Sequence, residues 1–295
     1  TTATALLAFS EVPADVLILE VGLGGSYDAT NVIDQPALSV ITPIDFDHKA
    51  FLGSDIRKIA GEKAGIIKSG RPALTAIQRK ICDDVIAKRA EDVGAPLYRL
   101  KAHFIDAMPE DLGLLGEHQR ANAALAAMAV QLFGNSTIID QNAIFEGARN
   151  VVWPARMQRL KDGPLTALAP DQEIWLDGGH NPHAARAIAR QLNNMPGRTA
   201  LVAAMLASKD ATGYFMPFRQ VRPEVFTLPN APGHQGAEPQ ALAEAATNAG
   251  LKAAAYDSLE AALKAAATTG VDRILICGSL YLAGEVLAQN GEPPA

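Results

Sequence analysis

The sequence predicts an α/β protein of two domains, each built on a parallel sheet, with a doubly wound second domain. Short β-branched or leucine-rich runs alternate with longer alanine-rich segments along the 295 residues, and this alternation is typical of strands joined by crossover helices. The alternation is interrupted between residues 113 and 170, where two helical segments follow each other. A chain of this length is enough for two domains of about 150 residues each, and the interruption favours that division.

The first half contains short strands separated by helices. One predicted helix begins near Ser54, a residue type that caps helix N-termini. One face of this helix carries Ile56, Ile59, Ala60, Lys63 and Ile66, an amphipathic spacing. Only one or two helical turns precede the first strand. The predicted strands are 15–21 (DVLILEV), 38–42 (LSVIT), 72–77 (PALTAI) and 96–100 (PLYRL).

The second half repeats a strand and a helix five times, as a complete doubly wound unit does. Before it, the helical segments 117–133 and 141–151 lead into a stretch with three prolines and one glycine at 151–172. These loop-forming residues predict a domain boundary near Lys161, and hence domains at 1–160 and 161–295. The predicted strands of the second domain are 173–177, 199–205, 224–228, 252–256 and 272–277.

Composition and charge exclude several classes of function. A formal charge of −6 and a pI near 5.5 argue against a nucleic-acid partner, which requires a face rich in lysine and arginine; single nucleotides remain compatible. No segment approaches the roughly 18 to 20 apolar residues of a membrane span, and the start lacks a basic signal region, so we expect a cytoplasmic protein without a membrane partner. Nothing in the patterning demands a dimer, and a monomer is expected.

The two cysteines of the chain, Cys82 and Cys277, lie far apart in sequence, without a Cys-x-x-Cys motif or a clustered histidine. This spacing suggests neither a zinc site nor a disulfide framework. Both residues are expected to be buried thiols.

Polar residues follow the ends of the predicted strands. Because ligands of open parallel sheets bind beyond the carboxyl ends of the strands, these ends are candidate sites, and two such edges facing each other would form an interdomain cleft. The residues concerned are Glu20, Gly22, Gly24 and Gly25 after the first strand; Asp45, Asp47 and His48 after the second; and Asp177, His180, Asn181, Lys209, Asp210, Gly278 and Ser279 in the second half.

The glycine cluster at 20–31, EVGLGGSYDATN, is ambiguous from spacing alone. A dinucleotide-binding fingerprint fails because Tyr27 stands where the third glycine belongs. A Walker-type loop is absent as well, since the pair Gly65 and Gly70 is followed by Arg71 instead of lysine. The cluster is therefore either a phosphate-binding loop or a sharp turn after a strand.

Glu20 and His48 follow neighbouring predicted strands and could converge on a cation. The carboxylate suits magnesium, whereas an imidazole also admits zinc or manganese. Taken alone, His48 fits a hydrogen-bonded loop residue better than a metal ligand, but a carboxylate at the end of an apolar strand, such as Glu20, must be paired or bind a cation. Lys63 is either a surface lysine with a buried stem or a lysine directed into the cleft.

Six blocks of sequence, taken together, resemble a known family. In order they are EVGLGGSYDATNVID, DHKAFLGSDIRKIAGEKAGIIKSGRPA, GEHQRANAALA, WPARMQRL, WLDGGHNPHAARAI and GSLYLAGEVL. With their spacing, they resemble the folylpolyglutamate synthases and bifunctional dihydrofolate synthases of the Mur ligase superfamily. The resemblance implies a P-loop-type Mur ligase central domain followed by a Rossmann-like C-terminal domain.

The resemblance also implies a reaction and its substrates. ATP would phosphorylate a dihydropteroate or folate carboxylate, and the amino group of L-glutamate would attack the acyl phosphate. Such chemistry depends on positioning and on cations that neutralise developing charge. By block matching, Glu20 and His48 fall on Mg²⁺ ligands, and Lys63 falls on a carbamylated lysine.

Further positions match the parts of the family that handle the nucleotide and glutamate. Asn122, Arg156 and Asp177 fall on ATP-contacting positions, and His180 and Ser279 fall near the incoming glutamate or the transferred phosphate. Judged without the resemblance, Asn122 fits a helix-surface amide and Arg156 fits an interdomain salt bridge.

The sequence departs from the family pattern in several places. The family's P-loop lies before the EVGLGG segment, so we expect these 295 residues to be the C-terminal part of a larger synthase and to bind ATP poorly by themselves. Ser26-Tyr27 replaces a common Arg-Leu, and WPAR replaces the commoner WPGR. Two alternatives stay open: a non-catalytic module that binds nucleotide or folate, and a Mur-type ligase of a cell-wall precursor.

Overall fold

A computed structural model describes residues 1–12, 14–46, 53, 55–134 and 139–292. These residues form two compact units. Unit 1 comprises residues 1–110 and 120–148, and unit 2 comprises residues 111–119 and 149–295. No helix of the described ranges is long and apolar enough to cross a membrane.

Unit 1 contains a three-stranded parallel sheet in the order β1-β2-β3, with Val40, Leu74 and Tyr98 side by side in register. Three of the four strands predicted for this half are therefore confirmed. The elements up to residue 150 are α1 (Thr2–Glu11), β1 (Ser39–Ile41), α2 (Ile56–Ala64), β2 (Ala73–Thr75), α3 (Lys80–Asp92), β3 (Leu97–Arg99), α4 (Ala102–Asp106), α5 (Glu117–Phe133) and α6 (Gln141–Asn150).

Helices α2 and α3 form the core of unit 1 with the sheet. Ile59 of α2 and Ile86 of α3 are fully buried and pack in one cluster with Ile41. Helix α2 begins where the Asp55 side chain accepts a hydrogen bond from the Arg57 N–H, which makes Asp55 the N-cap. The predicted cap, Ser54, lies outside the described residues.

The predicted strand at 15–21 is wrong, because these residues form no strand in the structure. Val16, Leu17 and Ile18 are 50%, 47% and 87% exposed. A strand requires a hydrogen-bonded neighbour, and this segment pairs with none of the strands in the described part of the chain. An apolar, β-branched run therefore does not become a strand by composition alone.

Unit 2 contains a six-stranded sheet in the order β4-β5-β9-β6-β7-β8. All its strand pairs are parallel except β4 with β5, so the predicted doubly wound domain is confirmed; the two-residue edge strand β4 was not predicted. Its elements are β4 (Gln158–Arg159), β5 (Glu173–Asp177), α7 (Pro182–Asn194), β6 (Thr199–Ala203), α8 (Ala211–Phe215), β7 (Glu224–Thr227), α9 (Pro239–Asn248), β8 (Lys252–Ala255), α10 (Leu259–Ala267), β9 (Arg273–Cys277) and α11 (Leu280–Gln289).

The central strands of unit 2 are covered on both faces. Alternate residues of β5 point to opposite sides: Leu176 packs in a cluster with Leu263 of α10 and Val286 of α11. Trp175 packs in another cluster with Ile188 of α7 and residues of α8 and α9. Burial on both faces is the reason these strands read as continuous apolar runs in the sequence.

The division between the units differs from the predicted boundary near Lys161. Strand β4 pairs with β5, with Arg159 opposite Trp175, and this pairing places residues before 161 in unit 2. The segment 111–119 joins the same unit: the Arg149 Nε lies 2.8 Å from Asp111 Oδ2. Unit 2 is thus assembled from two separate stretches of sequence.

Candidate functional site

Asp177, the last residue of β5, is a buried candidate residue of unit 2. It is 6% exposed. Its Oδ2 accepts the Met157 N–H at 2.9 Å, and its Oδ1 accepts the Gly179 N–H at 2.7 Å. Burial raises the pKa of this carboxyl above its ordinary value, against the lowering effect of both hydrogen bonds and of the Arg156 charge. The site therefore holds a carboxylate in a fixed orientation.

The turn that carries Arg156 has an unusual backbone. Ala155 has φ 55° and Met157 has φ 45°, values in the left-handed region that non-glycine residues rarely adopt. The turn is tied to the end of β5, because the Gly178 N–H donates to the Ala155 carbonyl at 2.8 Å. Glycine adopts this conformation without strain, which gives a physical reason for WPGR to be commoner than WPAR.

Arg156 is half-buried beside the end of β5. A methyl group at Gly178 would lie 3.5 Å from its guanidinium Nη1. The Arg156 charge acts on Asp177 and also lowers the pKa of His118, together with burial and the charge of His183. The guanidinium thus supplies positive charge next to a buried carboxylate.

His180 is oriented by the loop after β5. Its Nδ1 lies 3.0 Å from the carbonyl oxygen of Gly178. A carbonyl only accepts hydrogen bonds, so Nδ1 carries the hydrogen and the lone pair of the neutral ring lies on Nε2. The next residue, Asn181, caps α7 by accepting the Ala184 N–H at 2.9 Å.

Ser279 caps α11 at the end of the neighbouring strand, β9. It is buried, and its Oγ accepts the N–H groups of Tyr281 at 3.2 Å and Leu282 at 3.4 Å. The Gly278 N–H donates to the Gly179 carbonyl at 3.1 Å, which joins the loops after β5 and β9. Unit 2 therefore brings four predicted site residues to one sheet edge: Arg156, Asp177, His180 and Ser279.

In unit 1, the glycine cluster forms a tight turn against α2. The Ser26 N–H donates to the Glu62 carbonyl at 2.9 Å. A methyl group at Gly25 would collide with that same carbonyl, so the close approach requires glycine. The structure thus supports the interpretation of these glycines as a turn.

The Asp28 side chain stabilises this turn by accepting four hydrogen bonds within it. Its Oδ2 accepts the N–H groups of Gly22 at 3.1 Å and Leu23 at 3.0 Å, and its Oδ1 accepts the Thr30 N–H at 2.9 Å and the Thr30 hydroxyl at 2.6 Å. Burial acts to raise the pKa of Asp28, but these hydrogen bonds outweigh it and hold the pKa below its ordinary value. Sequence reasoning did not single out this residue.

The remaining predicted site residues are not brought together by the described part of unit 1. Glu20 is exposed, and Asn122 is exposed on α5. Lys63, in the last turn of α2, is half-buried, and its Cα lies 3.0 Å from the position a methyl group at Gly25 would take. His48 lies outside the described residues, as does Asp47. Within the described ranges, no three His, Cys, Asp or Glu side chains form a group that could hold a metal ion.

Sequence reasoning did not assign a role to His118 beyond its place in the GEHQ block. The structure places it in unit 2, where burial and the charges of His183, Arg156 and Arg190 lower its pKa. A methyl group at Gly116 would lie 2.7 Å from its ring. His183 and Arg190 can be placed on α7 from the sequence. Nothing in the sequence shows that His118 lies close enough for their charges to lower its pKa.

Residues 155–280, from the Ala155 turn to the start of α11, match the family described as Mur ligase, glutamate ligase domain. The fold and this match define the class: unit 2 is the glutamate ligase domain of a Mur-type ligase. Within that class, the chain belongs to the dihydrofolate synthase/folylpolyglutamate synthase family. It is 31% identical to the bifunctional enzyme of Escherichia coli over 97% of its own length and 67% of that protein.

Other relatives agree with this assignment. The chain is 34% identical to the dihydrofolate synthase/folylpolyglutamate synthase of Bacillus subtilis, over 71% of this chain and 52% of that protein. The chain thus spans about half the length of this curated relative. Folylpolyglutamate synthase of Mycobacterium tuberculosis, solved with ADP and AMPPCP, superposes with a TM-score of 0.87 at 29% identity, covering 100% of this chain and 72% of that one.

Proposed function

We propose that the protein is an ATP-dependent ligase that joins L-glutamate to a pteroate or folate carboxylate through an acyl phosphate. The observation that carries the proposal is the arrangement at the end of β5, where Arg156 stands beside a buried, hydrogen-bonded Asp177. This arrangement lies in the region matched to the glutamate ligase domain. The names of the relatives favour folate substrates over a cell-wall precursor.

Asp177 and Arg156 fit the two ends of a nucleotide. Each oxygen of a carboxylate offers about two acceptor sites, and Asp177 uses one on each oxygen for a backbone N–H. The remaining sites suit a pair of neighbouring hydroxyls, as on ribose. The planar guanidinium of Arg156 suits phosphate oxygens, and Asn122 is proposed as a further ATP contact.

His180 and Ser279 are proposed to act on glutamate and on the transferred phosphoryl group. His180 is proposed to accept a proton as the amino group attacks the acyl phosphate. Ser279 Oγ accepts two backbone N–H groups, which leaves its hydroxyl hydrogen to donate to an anion. Both roles use groups whose orientation the loops after β5 and β9 already fix.

Mg²⁺ is proposed to bind through Glu20 and His48. The Glu20 carboxylate is exposed, whereas Asp28, the other carboxylate of the turn, is occupied by internal hydrogen bonds. Glu20 therefore fits a magnesium ligand, since this ion prefers carboxylate oxygens. When bound, the ion would neutralise phosphate charge. Lys63, whose backbone lies at the Gly25 contact with α2, is proposed as the carbamylated lysine.

The protein as encoded is to be assayed for phosphate release with ATP, dihydropteroate and L-glutamate, with the ligated product identified by mass spectrometry. Product that depends on all three substrates is the expected result. Activity with a UDP-linked muramyl peptide instead would support a cell-wall ligase. Binding of nucleotide or folate without any ligated product would support a non-catalytic module.

Replacing Glu20 tests the metal role. We expect Glu20→Ala to lower kcat by at least about a hundredfold, because a metal ligand stabilises charge developed in the transition state. Its Mg²⁺ concentration for half-maximal rate should rise, and its thermal unfolding should match the wild type. Asp15→Ala, an exposed carboxylate in the same segment, is the control and should leave kcat unchanged. An unaltered kcat in Glu20→Ala would contradict the role.

A further inference from the structure

The loop after β7, residues 228–238, folds back across the carboxyl edge of the unit 2 sheet. It is held to the loop after β6 by a bridge between Leu206 and Gly236. Two backbone hydrogen bonds flank the bridge: the Ala207 N–H donates to Gln235 at 3.1 Å, and the Ala237 N–H donates to Met205 at 2.9 Å. The bridge fixes the loop beside the strand ends that carry the candidate site.

The tip of this loop contacts the start of α11. The rings of His234 and Tyr281 stack with centroids 3.4 Å apart and planes at 18°. Tyr281 in turn donates its N–H to Ser279 Oγ. Since β6 lies between β7 and β9 in the sheet, the loop reaches over the end of β6 and places an imidazole near Ser279.

The stacking leaves the ring nitrogens of His234 at the edge of the pair. His234 is exposed, and stacking uses the ring face, so an N–H in the ring plane can still donate. No described residue makes a hydrogen bond to this ring. Tyr281 therefore fixes the orientation of the His234 ring, and the ring N–H is directed away from the face that stacks on Tyr281.

A second feature of the loop indicates a missing polar partner. Both amide atoms of Asn230, Nδ2 and Oδ1, are buried without a hydrogen-bond partner in the described chain. Its Cβ lies 2.7 Å from the position a methyl group at Gly236 would take, so the Asn230 side chain starts beside the bridge. Buried amides of native proteins are normally satisfied, and a polar ligand or water would satisfy this one.

The charges around the loop favour an anion. Lys209 follows β6, and the N-terminus of α11 contributes a partial positive charge. The loop's own carboxylate, Glu238, is its last residue, at the start of α9 and beyond the bridge in sequence from His234. The nearby carboxylate of Asp210 is engaged in capping α8 through the Gly213 N–H at 2.9 Å. We propose that His234, held by Tyr281, is a specificity-determining residue that donates a hydrogen bond to a carboxylate of the acceptor amino acid. This rests on the proposed ligase function.

Two variants of His234 distinguish the role of its N–H donor from the role of its ring stacked on Tyr281. His234→Phe keeps an aromatic ring on Tyr281 but removes the N–H, and His234→Ala removes both. We expect both to raise the KM for L-glutamate about tenfold, the loss of one charge-assisted hydrogen bond, with kcat and the KM for ATP within about twofold of wild type. His103→Ala is the matched control, because His103 is also exposed and contacts a ring, Phe104.

The acceptor identifies which carboxylate is bound. If His234 contacts the side-chain carboxylate, the variants lose part of the preference for L-glutamate over L-glutamine; if it contacts the α-carboxylate, both acceptors weaken equally. Either result supports the proposal. A normal KM for glutamate in His234→Phe would overturn it, even if His234→Ala is impaired, because the ring would then serve only as packing.

A binding measurement keeps this proposal separate from the ligase function. L-Glutamate is titrated into the wild-type protein without folate, and the imidazole NMR signals absent from His234→Phe are followed. Shifts of these signals are expected, and their absence at saturating glutamate would overturn the proposal. If the wild type ligates no amino acid at all, the proposed function fails, whatever these signals do.

Discussion

Asp28 in unit 1 and Asp177 in unit 2 both hold a turn through backbone hydrogen bonds, but their pKa values are shifted in opposite directions. Each carboxylate accepts backbone N–H groups across a tight turn. The pKa of Asp28 lies below its ordinary value because four hydrogen bonds outweigh its partial burial. The pKa of Asp177 lies above it because burial outweighs two hydrogen bonds and the Arg156 charge. Burial, weighed against the hydrogen bonds that each carboxylate accepts, therefore sets the direction of its pKa shift.

The two units also differ in whether the segments that precede their candidate residues are paired in a sheet. In unit 2 the candidate residues follow paired, fully buried strands, and neighbouring loops are joined, as between Gly278 and Gly179. In unit 1 the segment before Glu20 pairs with no strand in the described chain, and Glu20 is exposed. Pairing fixes where a strand ends, and therefore where the following side chain stands.

The largest effect is expected at Asp177. Asp177→Ala leaves the N–H groups of Met157 and Gly179 without acceptors in a buried site, which should cost about 2 kcal/mol of unfolding free energy. Ligase activity should fall by at least about a hundredfold. Urea unfolding and the ligation assay measure both. Asp162→Ala, an exposed carboxylate, is the control. Full activity in Asp177→Ala would show that the buried carboxylate is structural only.

The close approach in unit 1 is tested at Gly25. Gly25→Ala forces a methyl group against the Glu62 carbonyl, and overpacking of this kind costs about 1–3 kcal/mol. Gly22→Ala is the matched control in the same turn, since its methyl group would meet Asp28 Oδ2 at an ordinary 3.7 Å. Calorimetric melting of the two variants checks the difference. Equal melting temperatures would show that the turn does not depend on its contact with α2.

The opposite pKa shifts predict opposite pH dependences. Asp28, with its lowered pKa, stabilises the fold fully above its ordinary pKa of 3.8, and this contribution is lost as the pH falls through the folded value. Asp177, with its raised pKa, contributes most below 3.8, and that contribution is lost as the pH rises through its folded value. Asp28→Asn should therefore flatten the acid limb of a stability profile measured from about pH 2 to about pH 6. An unchanged acid limb would contradict the assignment to Asp28.

The smallest effect is expected at Ala155. Ala155→Gly relieves a left-handed conformation that costs non-glycine residues about 1 kcal/mol, but it also loses a buried methyl group. We expect a net gain of about 0.5 kcal/mol in unfolding free energy. Ala187→Gly in the interior of α7 should lose about 1 kcal/mol. A loss at both positions would mean that the turn at Arg156 carries little strain.

Much of unit 2 was predictable because its signals are local. Buried parallel strands are continuous apolar runs, so their ends, and with them Asp177 and Ser279, could be read from the sequence. The left-handed backbone at Ala155 could not be predicted, because glycine, the residue that usually signals this conformation, is absent from that position. The stack of His234 on Tyr281 joins residues on different loops, and no periodicity records it. The segment 15–21 was misassigned because an apolar run does not reveal whether a neighbour strand is present.

The chain passes between the two units at residues 110–111, 119–120 and 148–149. A ribosome making it from the N-terminus therefore releases the first piece of unit 2 while unit 1 is still incomplete. Unit 1 is complete once residue 148 has been made, whereas the last strand of unit 2 ends only at Cys277. Residues 111–119 must therefore wait for most of the remaining chain before unit 2 can close around them, although domains that are continuous in sequence can fold as they emerge.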